Sequence, residues 1–283
     1  MSDLKNLKSI DISSITIIGT GIQILFAIIL SIILLIAVGI VSSSSIGGII
    51  YLVPTLIFGT LIFAVFRIFT ESYLYNILVS KLNSIKFIIK DEKEITGISV
   101  LPTSILSAVI GTIFFLIVYL TSIFIVPLML SSMIQTFMLS GQIQLAFMLY
   151  QIYRIISSPV IIIISIIGVF VITFLFTAIA TYLYNLIANK TGGIIVELSK
   201  ENGMTVLESI DPKAIAIIFA IISLVLNLIV GIVMAISTGV YSSIISSVVG
   251  GFITTFISSA LVAIFYNFLA PKLGKLKVEL VDE

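Results

Sequence analysis

The sequence predicts an integral membrane protein, mainly α-helical, with six transmembrane helices in three hairpin repeats and short cytoplasmic β-strands forming a small sheet or barrel. Three observations carry this expectation. The 283-residue chain is 60% hydrophobic and only 10% charged, far from the composition of soluble domains. Apolar runs of twenty or so residues recur, each sufficient for a hydrocarbon core of roughly 30 Å. A Tyr-Asn motif closes three of these runs, at Tyr75-Asn76, Tyr184-Asn185 and Tyr266-Asn267. At one fixed offset come Lys81, Lys190 and Lys272, then Asn83, Gly192 and Gly274, then apolar residues at alternate positions. That order reads as a helix reaching the interface, a left-handed stop, and a strand leaving the bilayer.

The elements follow in chain order. Asp11 is a good N-cap for a first helix over about 15–41, because its carboxylate can accept from the free N–H groups of the first turn. An uncharged link over 42–48 leads to a second helix over about 52–79, with Pro54 tolerated near its start. Residues 85–90 and 95–100 read as strands around the turn Asp91-Glu92-Lys93-Glu94. A third helix is expected over about 102–126 and a fourth over about 159–188. Between them an outer insertion, 129–158, places Gln144, Gln151 and Arg154 on one side of an amphipathic helix suited to the outer interface. Ile194, Val196 and Leu198 alternate as a strand, and Asn202-Gly203 is a strong hairpin signal before Met204–Ile210. Asp211-Pro212 supplies an N-cap and an N1 proline to a fifth helix ending near Ser237; a sixth runs over about 242–269. The strand over 276–281 has no following partner and the segment over 4–10 no preceding one. Pairing these two would close the sheet without a free edge. The repeats are then 1–94, 95–203 and 204–283.

Charge sets the expected orientation. Lysines 5, 8, 81, 86, 90, 93, 190, 200, 213, 272, 275 and 277 fall on one side of the helices, whereas the opposite loops carry only Arg154. By the positive-inside rule the chain is a multi-pass protein of the cell membrane with both termini cytoplasmic. The polar start, Met1 to Ser9, and the long first apolar run lack a cleavage pattern, so the first span is expected to be retained.

The chain has neither Cys nor His, which removes thiolate chemistry, imidazole ligands, His-based triads and disulfides. Net charge near zero argues against nucleic acid. Gly192-Gly193 lies between a helix and a strand, the reverse of a phosphate-binding loop. No catalytic constellation, metal set or cofactor motif is legible, and the chain is expected not to be an enzyme.

Some polar residues inside the apolar runs stand out. Arg67 and Glu71, at i,i+4, can neutralise each other. Intramembrane charges are functional candidates, and a structural bridge or an inter-subunit contact is the competing reading. Tyr75, Tyr184 and Tyr266 suit an inner aromatic belt. Asn76, Asn185 and Asn267 suit hydrogen bonds across helices or to backbone carbonyls near the strands, with a pore lining as the sharper alternative. In the sixth helix small residues recur every four positions, including Ser246, Gly250, Gly251, Thr254 and Ser258. Such a stripe lets two backbones approach closely, whether the partner is a helix of the same chain, a second copy or another membrane protein; a hydrated polar face is the alternative.

The entry Ser209-Ile210-Asp211-Pro212 and the exit Leu183-Tyr184-Asn185…Gly192-Gly193 resemble an uncharacterised prokaryotic family of two-helix transmembrane domains. That family has an Ile-Asp-Pro entry and a Leu-Tyr-Asn exit into a Gly-Gly and strand segment, and this chain looks like three copies fused. Ile12 stands at the proline position in the first copy, Leu101 at the aspartate position in the second, and Phe265 at the leucine position in the third. The resemblance implies the fold and brings no activity with it. The functional expectation is a non-enzymatic scaffold or assembly subunit of the membrane. The alternative is a small channel or transporter on a pseudo-threefold bundle, using Arg67, Glu71, Asn227 and the hydroxyls of the sixth helix.

Overall fold

The computed structural model describes residues 2–41, 47, 50–156 and 158–283. The elements are β1 (Ser2–Ile10), α1 (Ile12–Val41), α2 (Leu52–Leu78), β2 (Ile85–Lys90), β3 (Glu94–Ile98), α3 (Val100–Leu139) and α4 (Ile143–Ile156). They continue with α5 (Pro159–Thr191), β4 (Ile194–Glu201), β5 (Met204–Ile210), α6 (Pro212–Thr238), α7 (Ser242–Leu273) and β6 (Lys277–Asp282). Six of the helices contain windows long and apolar enough to cross a membrane. The expected link over 42–48 lies outside the described residues, Gly47 apart.

The six strands close into an antiparallel barrel in the order β1-β2-β3-β4-β5-β6. Turn chemistry explains the two tight hairpins. Asp91 and Glu92 both take positive φ between β2 and β3, as do Asn202 and Gly203 between β4 and β5, the twist that suits a two-residue hairpin. The last strand pairs with the first, Leu280 opposite Leu7 and Val278 opposite Ile10, so the terminal segments complete each other's hydrogen bonding. Inward positions are apolar along the barrel: Leu7, Ile89, Val196 and Val206 are buried.

By contact density the chain forms two compact units, 1–103 with 177–283, and 104–176. The first holds the barrel, the helices α1, α2, α6 and α7, and the end of α5 from residue 177. Asp11 and Asp211 cap their helices as expected: Ser14 N–H donates to Asp11 at 2.7 Å, and Lys213 and Ala214 N–H donate to Asp211 at 2.7 and 3.0 Å. Ile18 packs with Tyr266, Leu269 and Ala270 beside Leu207, Ile210 and Leu276, joining α1, α7 and the barrel in one cluster. Tyr184, Ala188, Ile218 and Ile222 form the corresponding cluster between α5 and α6.

In the second unit α3 runs to Leu139, further than the expected end near Val126, and passes through Pro127 without ending. It stops at Gly141, whose φ of +75° lets Gln142 N–H reach back to the Phe137 carbonyl at 2.8 Å. The insertion is therefore the extended end of α3 followed by α4, whose Ala146 is buried while Gln144 and Arg154 are exposed.

Candidate functional site

The three Tyr-Asn pairs are brought to one place, the junction between helices and barrel. Each asparagine grips the backbone of a single strand-end residue with both ends of its amide. Asn76 accepts from Ile10 N–H at 2.9 Å and donates to Ile10 C=O at 2.8 Å. Asn185 does the same to Ile98, both at 2.8 Å, and Asn267 to Ile210 at 2.9 and 2.8 Å. These residues end the strands that lead into α1, α3 and α6, where the barrel ladder gives way to helix and backbone groups need a partner.

The neighbouring tyrosine ties in the strands on either side. Tyr75 OH donates to Leu7 C=O at 2.7 Å; Tyr184 OH donates to Ile95 C=O and Tyr266 OH to Leu207 C=O. The same oxygens accept from the strand that leaves the helix: Ile194 N–H reaches Tyr184 at 3.4 Å and Leu276 N–H reaches Tyr266 at 3.3 Å. The three rings are buried, each at 4% exposure or less. They sit under the barrel, where each hydroxyl finds backbone partners. The asparagine amides are likewise directed at strand backbone, the backbone hydrogen bonding weighed for them.

The helix exits differ in one respect. Gly192 (φ +88°) and Gly274 (φ +108°) end their helices at positive φ, which glycine adopts without strain. At the exit of α2 Asn83 does not take positive φ; the helix ends a turn earlier, with Lys81 and Leu82 N–H both bonding Leu78 C=O at 2.9 and 2.8 Å. A side chain disfavours the left-handed region, and a tight turn replaces it. Gly193 answers a separate need: a Cβ there would stand 1.9 Å from Ile95 C=O.

Arg67 and Glu71 pair on α2, Nε to Oε1 at 2.9 Å, with 48% and 36% of their side chains exposed. The small-residue stripe of α7 divides in two. Gly251 is the close-packed member, since a Cβ there would lie 2.3 Å from the Asn227 amide of α6; a Cβ at Gly250 would meet nothing within 4 Å. Ser246 and Thr254 share the exposed side with Gly250, and Ser258 is half-buried. Within this chain the contact with α6 is made one residue on from Ser246, Gly250 and Thr254: Ser247 lies against the Gly231 position of α6. A doubled pattern leaves the choice of face open by one residue, about 100° of helix rotation. Asn227 Nδ2 donates to Ser223 C=O at 2.9 Å within α6, so this mid-helix amide packs between the helices.

The far mouth of the barrel was not legible beforehand. Lys5, Glu92, Lys200 and Asp282 line a cavity of about 230 Å³ with Ile89, Leu198, Ser199, Thr205 and Leu280. Lys5 bonds Asp282, which raises the ammonium pKa and lowers that of the carboxyl. Away from that cavity, toward the helix end of β5, Lys275 and Ser199 hydrogen-bond Glu208, in that order of effect, and lower its pKa. The Lys5–Asp282 pair links residues 277 positions apart, and the pairing of the first strand with the last brings them together.

No family model, curated protein or solved structure matches this chain.

Proposed function

We propose that this chain is a multi-pass scaffold of the cell membrane, built from three copies of one helix-hairpin unit, that holds a rigid β-barrel at the cytoplasmic surface as a docking platform. The observation that carries the reading is the triplicate Tyr-Asn clamp. Each clamp fixes the end of a helix hairpin to the strand that begins it, so helix position and barrel position move as one body. A transport cycle needs helices that rock or break about a midplane site, whereas here the polar side chains of the junction are committed to backbone groups. The lysines of 81–93, 190–213 and 272–277 cluster at the barrel end, and by the positive-inside rule they support a cytoplasmic location for it. The scaffold acts without catalysis; its work is to hold a partner at the bilayer.

Two measurements test this. A reporter joined after Glu283 should be active in the cytoplasm, and an extracytoplasmic reporter overturns the orientation. Purified protein in liposomes should leave ion gradients intact while the tagged chain retains a stoichiometric partner from membranes solubilised mildly. A protein-dependent flux would instead establish the channel reading.

A further inference from the structure

We propose that α2 is the face on which two copies of this chain meet in the membrane, with Arg67 of each copy bonding Glu71 of the other. The inference rests on reading the six apolar helices as membrane spans. A guanidinium carries five N–H donors in a planar fork suited to bidentate pairing with a carboxylate. Here only Nε is engaged, by Glu71 Oε1 at 2.9 Å; among the described residues the two Nη groups and Oε2 have no hydrogen-bond partner. Four of the five guanidinium donors and one of the two carboxylate oxygens are thus unused, on a helix whose Phe66, Phe69 and Tyr73 are exposed and aromatic. In hydrocarbon no water meets those donors.

The side chains of α1 do not supply the missing bonds. The α1-facing side of α2 is a different one: a Cβ at Gly19 of α1 would stand 2.7 Å from Ile68, and Ala64 and Ser72 are buried. Lipid phosphate is also badly placed. Arg67 lies about 12 Å along the helix from Tyr75, and its Cα–Cβ bond tilts toward the helix N-terminus, away from the barrel end and its headgroups. A second copy fits both the chemistry and the symmetry. Two chains inserted in the same direction and related by a twofold axis along the bilayer normal present the same depths to each other. The free Nη groups of one then face the free Oε2 of the other, and the contact is self-complementary.

The absence of cysteine makes the test direct. A single Phe63→Cys, one turn before Arg67, reports α2–α2 proximity by oxidative cross-linking in native membranes. The otherwise unaltered chain should cross-link as a dimer. Arg67→Glu or Glu71→Arg alone should reduce the cross-linked fraction about tenfold. Co-expressing the two single variants under different tags should restore it in the heterodimer, where one face is doubly acidic and the other doubly basic. Each chain's own pair stays like-charged there, so rescue reports only bonds between chains. Arg67→Glu with Glu71→Arg in one chain should also cross-link fully, which controls for folding. A monomeric parent chain, or co-expressed variants that cross-link no better than either alone, overturns the proposal. Alkaline carbonate extraction separates the two levels: a retained but monomeric chain sinks the dimer alone, and a released chain sinks the membrane reading beneath it.

Discussion

Asn185 holds both the N–H and the C=O of Ile98, and no other side chain of that length offers a donor and an acceptor in one plane. Asn185→Ala leaves two backbone groups without partners at a junction already short of ladder bonds. The expected loss is on the order of 2–4 kcal/mol, from two hydrogen bonds and the desolvation left behind. Tyr184→Phe keeps the buried ring and loses only the hydroxyl, so it should cost less, about 1 kcal/mol. Thermal unfolding in detergent checks the order Asn185→Ala worse than Tyr184→Phe; the reverse order would assign the junction to ring packing. The ion pairs of the barrel make a separate, pH-dependent contribution. Asp282 and Glu208 have carboxyls lowered below their usual 3.8 and 4.5 by Lys5 and Lys275. Their stabilisation is therefore complete above those usual values and is lost as pH falls through the lowered ones. Lys5, raised above 10.5, contributes below that pH and loses its contribution as pH rises further. A thermal midpoint that is flat between pH 6 and 9 and falls in acid is expected. In Glu208→Gln the acid limb should be shallower.

At the scale of elements, α6 and α7 are held close by two glycines. Gly251 lies against the Asn227 amide, and a Cβ at Gly231 would stand 2.9 Å from the Ile244 Cα. Gly251→Leu should force the helices apart, costing at least the 1–3 kcal/mol typical of overpacking. Gly250→Leu, one residue earlier on the open side, should leave the unfolding midpoint nearly unchanged. Equal effects of the two would contradict the observed helix rotation. The same pair marks how far the sequence could be read. Apolar runs, Asp11 and Asp211 caps, Asn202-Gly203 and the unpaired terminal strands made six spanning-length helices and a closed barrel legible, because each is a local signal or its arithmetic consequence. The face of α7 was not legible, since Ser-Ser, Gly-Gly and Thr-Thr doublets are symmetric in the sequence and only packing against Asn227 distinguishes their members. The tyrosines show the same limit. Spacing put Tyr75, Tyr184 and Tyr266 at helix ends, but their direction depends on strand carbonyls brought beneath them by barrel closure.

At the scale of the whole molecule, the first and last strands meet only because the barrel closes. β6 accepts from Asp11 N–H through Lys277 C=O at 3.0 Å, and Glu279 accepts from Ser9 Oγ at 2.8 Å. Lys277 also pairs with Glu201 at 2.8 Å, tying β6 to the β4–β5 turn. Removing residues 276–283 takes away these bonds and leaves β1 and β5 as free edges, each with a row of unpaired backbone groups able to recruit another chain. The effect should exceed any single side-chain change, since an unclosed barrel no longer restrains the strand ends that Asn76 and Asn267 clamp. The truncated chain should therefore reach the membrane with its helices formed, yet unfold at lower temperature and run as higher oligomers in detergent. Circular dichroism would follow the helices, and size-exclusion chromatography the association. A truncated chain as stable and as monodisperse as the parent would mean that the helix hairpins hold together without the barrel, and the clamp would lose its place as the organising contact.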